Sequence, residues 1–143
     1  MFTKNSEDYN IKAQCNHVFR YFAQLQFIDL SNNQITYLPS CLLTSFPNLR
    51  TLVLSNNLIK EVTKLNLLNP LLRKNSGNQV VTLNLKGNKL KVLNFKDSNV
   101  PHNSLEEMKL LDLRNNSIEN IQSGFFMHFK KLEEIKLSGN YLK

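Results

Sequence analysis

Five copies of one phrase run along this chain of 143 residues, each with leucine-like residues at fixed offsets from an asparagine. Aligned on L-x-x-L-x-L-x-x-N-x-L, they read LQFIDLSNNQI from Leu25, LRTLVLSNNLI from Leu49, VVTLNLKGNKL from Val80, MKLLDLRNNSI from Met108 and LEEIKLSGNYL from Leu132. The apolar positions vary only among Leu, Ile, Val and Met, while Asn33, Asn57, Asn88, Asn116 and Asn140 are constant. From asparagine to asparagine the steps are 24, 31, 28 and 24 residues, a period that predicts a solenoid whose coils bury their apolar faces against one another.

The L-x-L centre of each phrase alternates with period two, so its two apolar residues point inward and their neighbours outward, as in a strand. The inward set is Ile28 with Leu30, Leu52 with Leu54, Leu83 with Leu85, Leu111 with Leu113, and Ile135 with Leu137. Stacking predicts one parallel sheet of about five or six short strands. The asparagine follows where the chain turns inward, and a buried turn leaves backbone groups that need partners. A carboxamide supplies donors and an acceptor together, so Asn33, Asn57, Asn88, Asn116 and Asn140 are expected to form a structural ladder.

The return path carries a second pattern, Phe46-x-x-Leu49 and Phe129-x-x-Leu132, with Phe19-x-x-Phe22-x-x-Leu25 upstream and Leu105-x-x-Met108 as a weaker copy. These are expected to pack the side opposite the sheet. The 24-residue step with phenylalanine three residues before the next leucine resembles the typical extracellular class of leucine-rich repeats, found in Toll-like receptors and secreted repeat proteins. The resemblance covers Phe19 to the C-terminus. It implies an α/β solenoid, a horseshoe with a concave parallel sheet and an irregular or short-helical convex side.

Two intervals depart from the period. Between Asn57 and Val80, Leu65, Leu68 and Leu72 have helical spacing interrupted by Pro70, and 73–78 is polar, which predicts a short convex helix and an exposed bulge. The extra length between Asn88 and Asn116 falls at 96–103. Insertions of this kind map to loops on one side of a solenoid, either as binding elements or as tolerated surface variation.

Residues 19–143 therefore form the repeat region, with strand phrases near 25, 49, 80, 108 and 132, and 1–18 a degenerate or incomplete first coil in which Lys4 and Ser6 occupy core positions. The fifth phrase stops short of its return path, so the sequence predicts a fragment of a longer repeat protein, uncapped at its C-terminus. The first residues carry no apolar signal segment, and no run reaches transmembrane length. Cys15 and Cys41 fall on neighbouring coils, which leaves a disulfide or two free thiols open. With His17 they supply only three zinc ligands, and His102 and His128 belong to other coils, so no metal site is expected. No phosphate loop, paired carboxylates or nucleophile–base pair is evident, and neither enzyme activity nor a cofactor is expected.

The outward residues of the strand phrases are Phe27, Asp29, Ser31; Thr51, Val53, Ser55; Thr82, Asn84, Lys86; Leu110, Asp112, Arg114; and Glu134, Lys136, Ser138. This face is the expected binding surface, with Phe27, Val53 and Leu110 as an apolar centre and charged residues around it. The expected function is protein recognition, with a protein ligand or receptor subunit as partner. The resemblance implies a receptor-like or innate-immune setting, in a secreted protein or a membrane ectodomain. The cysteines fit the cytoplasm equally well.

A second reading starts from charge. The net charge is +7, which favours acidic partners. Lys86, Lys89, Lys91, Lys109, Arg114, Lys130, Lys131 and Lys136 are candidates to bind a polyanion, either nucleic acid or sulfated glycan. A structural spacer within a longer ectodomain is a third reading. Asn115-Asn116-Ser117 is a sequon, making Asn115 a candidate glycosylation site.

Overall fold

The structure is a computed structural model that describes residues 20–39, 42–65, 80–95 and 105–143. The expectations for Cys15, His17 and Cys41, for the helix and bulge within 66–79 and for the insertion at 96–103 lie outside the described residues, as does the coil before residue 20.

Each phrase forms a three-residue strand. These are β1 (Phe27–Asp29), β2 (Thr51–Val53), β3 (Thr82–Asn84), β5 (Leu110–Asp112) and β7 (Glu134–Lys136), which join in that order into one parallel sheet. Register follows the phrase without slippage: Ile28, Leu52, Leu83, Leu111 and Ile135 are successive partners. The 31-residue step does not disturb it, since Thr51 still faces Thr82. A slip of one residue would turn every inward leucine to solvent, so burial holds the register.

A second column follows three residues after the phrase. Leu38, Val62 and Leu93 are buried, and Ile121 packs against them from the edge. Part of it forms β4 (Val92–Leu93) and β6 (Asn120–Ile121), a two-stranded parallel sheet on the flank. This column was not foreseen from the phrase, although the same threefold spacing, Ile35-x-x-Leu38 to Ile118-x-x-Ile121, stands in the sequence.

Between sheet, flank and return path lies one continuous core. Leu52, Leu54, Ile59, Leu83, Leu85, Leu90, Leu93, Leu113 and Ile118 have no more than 1 % of their surface exposed. Full burial of such a side chain contributes roughly 1.5–3 kcal/mol, before the conformational entropy it offsets. Ile28 and Leu30 in the first strand phrase, and Ile135 and Leu137 in the last, are only partly buried.

The phenylalanine motif is a repeated tight turn. The amide of Leu25 donates to the Phe22 carbonyl, Leu49 to Phe46, Met108 to Leu105 and Leu132 to Phe129, at 3.0–3.4 Å. Phe46, Leu105 and Phe129 are buried, whereas Phe22 in the first described coil is half exposed. Phe95 adds to this layer, stacked on Phe125 with centroids 4.8 Å apart, a contact that fills the return path with aromatic surface. Short 3-10 turns at Leu43–Ser45, Val62–Leu65 and Phe125–His128 complete that side.

Candidate binding face

The turn that leaves each strand fixes which outward side chains are free. Its first fastening is the asparagine column. Asn88 donates to the carbonyls of Leu54 and Leu85, at 2.9 and 3.0 Å, and accepts the Ile59 amide at 3.1 Å. Asn57, Asn116 and Asn140 repeat that set one coil apart, each bonding a carbonyl of its own coil, one of the preceding coil and one amide, with Asn57 and Asn116 also reaching the Ser55 and Arg114 carbonyls at 3.3 Å. Asn33 is exposed and, among the described residues, bonds its own coil, to Leu30 and Ser31. Buried carboxamides with three partners satisfy groups that would otherwise be buried unpaired.

The second fastening is a left-handed residue before each ladder asparagine. Asn32, Asn56, Gly87, Asn115 and Gly139 all have positive φ, between 53° and 73°, the region that asparagine and glycine tolerate best. Asn56 donates to Asn32 Oδ1 at 2.9 Å. A β-carbon at Gly87 would collide with Asn56 Oδ1, and one at Gly139 with Asn115 Oδ1. The sequon asparagine, Asn115, is thus exposed at its backbone turn with its side-chain oxygen laid over the next coil. The alternation of N-N and G-N in the phrase was the available signal for this column.

The third fastening uses residues of the expected binding surface itself. Asp29 accepts the Ser31 amide, Asn84 the Lys86 amide and Asp112 the Arg114 amide, at 2.8, 3.0 and 3.1 Å. These side chains curl onto the turn that follows them, an Asx-type arrangement. Their hydrogen bonds lower the Asp29 carboxyl below its ordinary value, with Ser31 as the cause.

Strand register sorts the face into rows. One is Phe27, Thr51, Thr82, Leu110, Glu134; the next is Asp29, Val53, Asn84, Asp112, Lys136. Phe27 and Leu110 share a row but stand three strands apart, about 14 Å at the usual interstrand distance. Val53 belongs to the other row. The apolar centre expected from Phe27, Val53 and Leu110 is therefore replaced by separated residues: Phe27 is exposed, and Val53 and Leu110 are half-buried. Thr51, Thr82 and Asn84 occupy the middle, half-buried and small.

In the last two strand phrases, charge on this face is paired within each coil. Asp112, expected to project to solvent, is 4 % exposed. Arg114 closes over it and Lys136 lies near. Burial disfavours the Asp112 carboxylate, but the hydrogen bonds and charge of Arg114, with Lys136, outweigh that and hold its pKa below the ordinary value. Lys136 pairs with Glu134 at 3.3 Å.

The eight cations of the polyanion reading do not share one surface. Lys86, Arg114 and Lys136 belong to the sheet face and Lys89 and Lys91 to the flank. Lys109, Lys130 and Lys131 lie on the turns entering β5 and β7, paired with Glu133, Glu106 and Glu107 at 2.5–2.7 Å. Each of those three pairs joins residues 24 apart, one repeat step.

Among the described residues no helix is long and apolar enough to cross a membrane. Residues 23–69 match the family model for leucine rich repeats, in two copies. The strand register and asparagine ladder of that segment continue through the three later phrases, whose coils are built on the same plan. The chain thus carries leucine-rich repeats, a scaffold of the kind that serves protein–protein interaction.

Proposed function

We propose that the chain recognises a protein ligand or receptor subunit through the open face of the five-stranded sheet, centred on Thr51, Val53, Thr82, Asn84 and Leu110. The observation that carries this reading is the register. It sets small, half-buried side chains side by side across the middle strands, flanked by the exposed Phe27 at one end and the Asp112–Arg114 and Glu134–Lys136 pairs at the other. A face of modest relief whose charges at the β5–β7 end are internally paired suits another protein's surface, where desolvating an unpaired charge is costly. It suits a polyanion less, because each phosphate or sulfate needs an uncommitted cation.

The extracellular type of repeat favours a secreted or ectodomain setting, receptor-like and with innate immunity as one context. Asn115 would be the glycan acceptor there.

Arginine at Thr82 and at Leu110 tests the face. Both side chains are half-buried and outward, so the bulk lands on the surface without entering the core. A partner co-purified with the wild-type chain should be lost by either variant, and retention by both would refute the assignment.

A further inference from the structure

The flank of the solenoid holds a groove of about 760 Å³ that the sheet face does not reach. It runs from Thr36 of the first coil across the second and third coils. Leu58 and Val92 line it with Lys60, Lys89, Lys91 and Glu61. Its volume is in the range that takes a small ligand or a few residues of a peptide.

Its chemistry is not required by the fold. Positions equivalent to Leu58 in the first and fourth coils carry Gln34 and Ser117, and those equivalent to Val92 carry Tyr37 and Asn120. Leu58 and Val92 are 39 % and 42 % exposed, so they contribute little to the core. The lysine column behaves the same way: Thr36 and Glu119 stand where the middle coils have Lys60 and Lys91. Among the first four coils, exposed apolar surface and positive charge thus coincide on the second and third, and Tyr141 and Lys143 repeat the combination on the fifth.

Charge makes the occupant specific. Among the described residues, ion pairs engage Lys109, Arg114, Lys130, Lys131 and Lys136, and none engages Lys60, Lys89 or Lys91. Glu61 is turned to the Thr63 hydroxyl at 3.1 Å. The segments of this chain outside the described residues offer no match. Residues 66–79 contain Arg73 and Lys74 without an acid, and 1–19 and 96–104 have no net charge.

We propose that this groove docks an acidic peptide segment of a partner protein, one that sets a leucine-sized side chain on Leu58 and Val92 while its carboxylates meet Lys60, Lys89 and Lys91. The apolar contact separates a peptide from a sulfated glycan or nucleic acid, which would use the lysines alone.

The test is fluorescence anisotropy of the full chain with a labelled peptide of alternating Glu and Leu. Controls are a Glu–Ser peptide of equal charge and a sulfated oligosaccharide as competitor. The Glu–Leu peptide should bind, and the triple variant K60E/K89E/K91E should weaken it by about tenfold or more, with the Lys→Gln triple intermediate. L58S/V92S should weaken the Glu–Leu peptide severalfold and bring it level with the Glu–Ser peptide. Thr82→Arg, on the sheet face, should leave both unchanged, so failure here and failure of the sheet-face reading are separable. No binding by the wild-type chain, equal binding by the triple variant, or Glu–Ser peptide or oligosaccharide binding as tightly as the Glu–Leu peptide would each overturn the proposal.

Discussion

Arg114 grips Asp112 at both carboxylate oxygens, Nη2 to Oδ2 at 2.7 Å and Nε to Oδ1 at 3.0 Å, while its own backbone amide donates to Oδ1. The pair turns an outward acid into part of the wall. Because its folded-state pKa is lowered, Asp112 contributes stability that is complete above the ordinary aspartate value of 3.8 and is lost as pH falls through the folded value. Arg114→Gln should lower stability at neutral pH, by an amount reduced by the exposure of the guanidinium. The gap between wild type and variant should close in urea titrations below pH 3.8. A constant gap would contradict the pairing.

Asparagine ladder positions differ in worth. Asn88→Ala strands two carbonyls and one amide in the core, a loss of about 3 kcal/mol. Asn33→Ala, exposed and bonded within its own coil among the described residues, should cost less than about 1 kcal/mol. Urea unfolding of the two variants side by side measures the difference, and equal losses would show that the ladder is not what closes the turns.

Gly139 accommodates Asn115. Gly139→Ala adds a β-carbon at positive φ and against the Asn115 side chain, and should destabilise by roughly 1–2 kcal/mol. Asn115→Gly in the same chain should recover the steric part but not the backbone part. Full additivity of the two changes in a double-mutant cycle would mean that the side chains do not meet.

The stacked pairs of the last two coils are electrostatic. Glu133→Lys should lower the unfolding midpoint by setting it against Lys109, and adding Lys109→Glu should restore it. High salt should shrink both effects.

Much of this architecture was legible because one residue type does one job at one offset. Leu52, Leu83 and Leu111 could only be inward once the period was seen, and the amide chemistry of Asn57, Asn88 and Asn116 followed from burying a turn. The flank column was equally visible in Leu90-x-x-Leu93, but a phrase that ends at the last leucine hides it. The binding face was less legible, since alternation tells which way a side chain starts and not where its polar end goes. Asp29, Asn84 and Asp112 begin outward and end on the backbone two residues on, and Phe27, Val53 and Leu110 look adjacent only until the register separates them.

The central claim is that the open sheet face holds the partner. A photo-crosslinking residue in place of Thr82, at the middle of that face, should capture the partner that co-purifies with the wild-type chain. The same residue in place of Met127, 69 % exposed on the return path, should capture none of it. Capture from Met127 with none from Thr82 would contradict the claim.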